Sequence, residues 1–127
     1  MAPVFYALAQ PGQFGPNCLF IHVTGMSDMA WKKAAEEGAS VSLPVPIEMH
    51  MRHGIPPPRK ALDLGMTRSL STDVECMMSA DMFTRMRSAV TLQRMFANDL
   101  ALRGEAYPQL LAAKDVIRMA TLEAPRA

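Results

Sequence analysis

Ser69-Leu70-Ser71-Thr72-Asp73-Val74-Glu75 is a short β-type run that delivers a lone carboxylate just before a long, Met-rich helical stretch. In parallel α/β architectures such a junction is where chemistry sits, because catalytic groups gather at the C-terminal ends of the strands. An Asp at the last residue of a strand is therefore a better functional candidate than an Asp elsewhere. A second apolar run, Cys18-Leu19-Phe20-Ile21-His22-Val23, ends on a polar residue in the same way. His22 and Asp73 together outline part of a site.

Outward from these two runs, the chain alternates strand and helix. Cys18 to Val23 reads as a buried strand, and Thr24-Gly25-Met26-Ser27 as a turn in which Ser27 or Asp28 caps a helix running to about Glu37, with Gly38 ending it. Ala39 to Leu43 is the next strand, so strand, helix and strand with short connections imply a parallel sheet. Pro44 to Pro58, with prolines at 44, 46, 56, 57 and 58, reads as a long loop and as neither regular element. Arg59 to Leu64 forms a short helix ended by Gly65, and Thr67 to Ser71 is the third strand. Upstream, Pro3 to Gln10 reads as the tail of a helix and Pro11 to Asn17 as turns.

Asp81 caps a helix that extends to about Leu102, before Gly104. Helical spacing assigns Met82, Phe83, Met86, Ala89, Val90 and Phe96 to one face, packed on a sheet, and Thr84, Arg87, Ser88, Thr91 and Arg94 to the other. A last helix from about Ala112 to Leu122 turns Val116, Ile117 and Ala120 inward, and Pro125 closes the chain. No linker divides the sequence, so residues 1–127 are read as one domain.

Length and composition bound the answer. A chain of 127 residues is one ordinary domain, about half of the roughly 250 residues that a closed (β/α)8 barrel needs. With 50% hydrophobic residues, 20% charged residues and a net charge of +1, nothing steers it toward nucleic acid or an anionic membrane surface. No apolar run approaches membrane-spanning length, and Val4 to Ala9 is too short and lacks the basic flank of a signal peptide, so a cytoplasmic protein is expected. Cys18 and Cys76 form no Cys-x-x-Cys pattern and read as two buried thiols, and the 12 methionines as filler of an irregular core.

A polar residue ending a buried strand must be hydrogen-bonded, ligated or wet, and His22 and Asp73 both face that demand. Taken singly, Asp73 reads equally well as a cap for the following turn, and His22 as a satisfied core histidine. Their placement at equivalent ends of two strands favours the functional reading of the pair. His50 and His53, with Glu48 nearby, offer a metal reading, although exposed loop histidines are the favoured one. Glu48 itself reads equally as a carboxylate aimed into a pocket and as a solvated one. Trp31, beside Lys32 and Lys33, reads as a packing residue. Phosphate-binding Gly-rich loops, the Gly-x-Ser-x-Gly elbow and His-Glu-x-x-His are all absent.

The ordered set Phe20-Ile21-His22-Val23-Thr24-Gly25-Met26-Ser27-Asp28, Gly54-Ile55-Pro56-Pro57, Ser71-Thr72-Asp73, Asp81-Met82-Phe83 and Met86-Arg87 resembles the C-terminal part of the amidohydrolase superfamily. The branch is the one with cytosine deaminase, adenosylhomocysteine and guanine deaminases and the triazine chlorohydrolases. Ala113 to Thr121 resembles the helix after the last barrel strand, so the likeness covers nearly the whole chain. It implies an α/β fold, a partial (β/α)8 TIM-type barrel made of roughly strands six to eight with their helices. It further implies a divalent metal, zinc or iron, in the complete enzyme, and hydrolysis of a C–N bond in a ring-shaped small molecule.

In that resemblance His22 matches the histidine ending strand six, which contacts the hydrolytic water or the metal. Asp73 matches the aspartate ending strand eight, which binds the metal and takes a proton from the attacking water. Gly54 to Pro58 matches the connection after strand seven, near the substrate. The family's His-x-His pair, fifth-strand histidine and acidic proton shuttle have no counterpart here, and Asp73 with one imidazole falls below the roughly three protein ligands of catalytic zinc. The expectation is thus a fragment inactive alone, with no metal bound by itself, that self-associates or pairs with a missing barrel half through exposed edges and apolar faces. Two other readings stay open: a non-catalytic half-barrel interaction protein, and a small metal-binding module built from His50, His53 and Asp73.

Overall fold

The computed structural model describes residues 14–124. The helix tail read at residues 3–10 and the closing Pro125 lie outside the described residues. Three short strands, β1 (Leu19–Ile21), β2 (Ser40–Leu43) and β3 (Arg68–Leu70), form one parallel sheet in the order β1-β2-β3. The register pairs Phe20 with Val41 and Ile21 with Ser42, then Ser42 with Ser69 and Leu43 with Leu70. Successive side chains alternate between faces. Val41, Leu43 and Leu70 enter the core with Phe20 against them, while Ile21, Ser42 and Ser69 share the opposite face. The expected α/β fold with a parallel sheet is what the chain forms.

Helix α1 (Asp28–Glu36) connects β1 to β2. Ser27 caps it, accepting a hydrogen bond at Oγ from the Ala30 amide at 3.3 Å, and Gly38 at φ 78° ends it in the left-handed region that favours glycine. Trp31, 1% exposed, faces the core as expected, Ala34 is buried beside it on the same helix, and Lys60 sits over the Trp31 ring at 5.6 Å.

The proline-rich stretch corrects the sequence reading. It contains helix α2 (Val45–His50) and leads into α3 (Pro58–Asp63), where a loop from 44 to 58 was expected. Pro46 and Pro58 occupy first-turn positions, where a missing N–H breaks no intrahelical bond. Proline thus starts both helices here instead of excluding them.

Helix α4 (Met82–Leu102) is capped by Asp81, whose Oδ1 accepts from the Thr84 amide at 2.7 Å. Its buried ridge is Arg85, Ala89, Gln93 and Ala97, spaced by four, with Met82, Met86 and Val90 packed alongside. Phe83, expected inside, is 66% exposed. Arg85 is tolerated in the core because it donates to the Ser79 carbonyl at 2.9 Å, and Gln93 because it bonds the Gln109 carbonyl and the Leu111 amide. Helix α5 (Ala113–Ala120) buries Val116 and Met119, while Ile117, expected inward, is exposed. Cys76 is exposed too, against the expectation of a buried thiol, and Cys18 is half-buried. No helix among the described residues is long and apolar enough to cross a membrane.

Candidate active site

Both expected site residues stand just past a strand, at the same end of the sheet. β1 stops at Ile21, and His22 follows in a left-handed conformation (φ 57°, ψ 58°) that turns the chain into a 3-10 turn at Val23–Gly25. β3 stops at Leu70, the Ser71 amide still donates to the Leu43 carbonyl at 3.4 Å, and the chain then leaves the sheet. Asp73, read from the sequence as the last residue of its strand, lies beyond this point and is also left-handed, at φ 55°. Non-glycine residues visit that region rarely, and such strain gathers at functional sites.

These turns bring the two side chains together. His22 Nε2 lies 3.4 Å from Asp73 Oδ2, with both side chains roughly one-third exposed or less, at 32% and 27%. On the other edge of the ring, His22 Nδ1 lies 3.8 Å from Glu48 Oε1. The imidazole therefore stands between two carboxyl groups, one open to solvent and one fully enclosed.

Glu48 is the site residue that the sequence left undecided. Its side chain is 0% exposed, and neither carboxyl oxygen has a hydrogen-bond partner. Burial, and after it the negative charge of Asp73, push the Glu48 carboxyl up to about 7. Such a displacement beside a histidine makes Glu48 a candidate for a functional carboxyl. The signal that could have found Glu48 is positional: it lies on the first helix after the central strand, and Pro46 sets the start of that helix.

His53 also joins the group. Its ring packs edge-on to that of His22, with centroids 5.4 Å apart at 88°. Thr24 Oγ1 donates to the His53 carbonyl at 2.8 Å, tying the connection after β2 to the turn after β1. Next to it, Gly54 has φ 130°, and a Cβ there would stand 3.2 Å from Thr24 Cβ. His50 is exposed at the end of α2. Among the described residues no group of three or more His, Cys, Asp or Glu side chains is arranged to hold a metal, so the His50–His53–Asp73 module does not form.

Two ligands are nevertheless available. Donors about 2.0–2.2 Å from one tetrahedral ion stand about 3.3–3.5 Å apart, and the 3.4 Å between His22 Nε2 and Asp73 Oδ2 meets that spacing. An imidazole nitrogen and a carboxylate oxygen are also suitable zinc donors. The pair fits two positions of a tetrahedral ligand set. An apolar pocket of about 360 Å³ lies elsewhere, between the Ile55–Asp63 segment and α4, and includes none of His22, Glu48 or Asp73 in its lining.

Comparison with known proteins identifies the family of the chain. A profile of the amidohydrolase family matches residues 14–127. The chain is similar to the 5'-deoxyadenosine deaminase of Methanothermobacter thermautotrophicus, 33% identical over 128 residues, which cover 100% of this chain and 28% of that protein. It is also similar to the 5'-deoxyadenosine deaminase of Methanosarcina mazei, 30% identical over 91% of this chain and 25% of that protein. The chain thus spans about a quarter of the length of these relatives. Among solved structures, an adenosine deaminase from Xanthomonas campestris with bound zinc superposes with a TM-score of 0.71 at 25% identity, over 91% of this chain and 25% of that one. The guanine deaminase of C. acetobutylicum, with guanine in its active site, shares the fold with a TM-score of 0.70 at 18% identity, over 84% of this chain and 25% of that one.

Proposed function

The chain belongs to the amidohydrolase family, and from that membership we propose that it supplies one side of the active site of a metal-dependent deaminase acting on an amino-substituted ring, with purine-type compounds as the substrate class. Its three strands are then strands six to eight of a (β/α)8 barrel. The other strands, covalently joined or carried by a second chain, supply the remaining metal ligands and the proton shuttle. The observation that carries this reading is the approach of His22 and Asp73 to 3.4 Å from the ends of two different strands.

A divalent ion held by Asp73, with His22 as a ligand or as the contact to the water, would lower the pKa of that water toward neutrality. Asp73 accepts the proton of the attacking water, for which a carboxylate within hydrogen-bond reach is suited. His22 orients the water oxygen toward the ring carbon that bears the amino group. A C–O bond forms at that carbon and the C–N bond breaks. The amino group takes one water proton and leaves as ammonia, and the other water proton moves to the adjacent ring nitrogen as the new C–O bond becomes a carbonyl. Nothing in the family membership names which amino-substituted ring is used, but relatives called 5'-deoxyadenosine deaminase support the purine class.

The test is a chimera in which residues 14–127 replace the matching segment of the Methanothermobacter relative. With zinc it should release ammonia from 5'-deoxyadenosine, adenosine or guanine, whereas the unjoined chain should release none. A chimera that folds and binds zinc but deaminates nothing in that panel would remove the reading.

A further inference from the structure

The unexplained group in this site is Glu48. A buried carboxyl group without a hydrogen bond is costly, and native structures seldom leave one without a reason. Both Glu48 oxygens are in that state, and so is His22 Nδ1, which faces Oε1 at 3.8 Å. The backbone around Glu48 is fixed on both sides: its amide donates to the Pro44 carbonyl at 3.1 Å, and its carbonyl accepts from the His53 amide at 2.8 Å. The carboxyl group is therefore aimed by the fold. A modest rotation of the His22 ring closes the gap to the roughly 2.7–3.2 Å of an N–H···O bond.

We infer that Glu48 is a positioning residue for His22: its carboxyl oxygen accepts a hydrogen bond from Nδ1–H and so keeps Nε2 directed at the space beside Asp73. Enclosure from solvent excludes direct contact between Glu48 and a substrate, so Glu48 acts through the imidazole. A histidine whose second nitrogen is held by a carboxylate has a fixed ring orientation and tautomer, which is how such partners tune a metal or water contact. The inference rests on the deaminase reading for what Nε2 does, but the bond itself concerns only this chain.

Long-range proton–nitrogen NMR of the histidine side chains in the full 127-residue chain at about pH 8 tests it directly, without metal or turnover. The proton should reside on His22 Nδ1 in the unaltered chain. It should stay there in Glu48→Gln, whose amide oxygen still accepts, and be lost from Nδ1 in Glu48→Met. An unaltered chain with a bare Nδ1 would overturn the inference even if the Met variant failed to fold, as would a folded Glu48→Met chain that kept its Nδ1 proton. A chimera without deaminase activity alongside the expected NMR pattern would sink the functional reading and leave the positioning role intact.

Discussion

His22 Nε2 and Asp73 Oδ2 stand 3.4 Å apart although β2 separates the two strands that precede them. The contact exists because each chain segment turns through a left-handed residue as it leaves the sheet. If the pair is half of a metal site, His22→Ala and Asp73→Asn should each weaken zinc binding by at least about tenfold. Calorimetric titration of the chimera gives the number, and unchanged affinity in Asp73→Asn would contradict the ligand assignment.

Glu48 sets a pH dependence of stability. Its carboxyl is raised from 4.5 to about 7, so the folded chain holds that proton more tightly than the unfolded chain does. The contribution is fully present below about pH 4.5, falls as pH rises through about 7, and is absent above it, a span of roughly 3 kcal/mol. Glu48→Gln should remove this fall and be more stable than the unaltered chain at about pH 8. Urea midpoints of the two proteins across that window decide it, and parallel curves would show that Glu48 does not carry the effect.

Gly54 permits the tie between the connection after β2 and the turn after β1. Gly54→Ala must accommodate φ 130° and a Cβ at 3.2 Å from Thr24 Cβ. A loss of order 1–3 kcal/mol is expected, together with release of the His53 ring from His22. Thermal unfolding reads the first effect, and the His53 ring shifts in NMR read the second.

Trp31 is among the largest fully buried side chains. Trp31→Ala should cost about 3–5 kcal/mol, and a loss below about 1 kcal/mol in urea unfolding would mean that Trp31 is not packed in the core as described.

Much of the fold was legible because local signals carry it. The apolar runs ending at Leu43 and Leu70, the Ser27 and Asp81 caps and the stops at Gly38, Gly65 and Gly104 all depend on residues within a few positions. What escaped depends on partners far along the chain. Arg85 and Gln93 are inside because carbonyls at Ser79 and Gln109 receive them, which hydrophobic periodicity does not register. Phe83 and Ile117 are outside because the inward stripes of α4 and α5 run along neighbouring positions. The placement of His22 and Asp73 at the same end of the sheet was legible from position, whereas the enclosure of Glu48 was not, since it arises only once α2 is packed in the folded chain.

The left-handed backbone at His22 and Asp73 sets thermostability against the proposed chemistry at the same two positions. A side chain in that conformation costs roughly 1–2 kcal/mol that glycine does not incur. A library of variants sorted for heat resistance alone, with no demand for catalysis, should therefore drift toward glycine at positions 22 and 73.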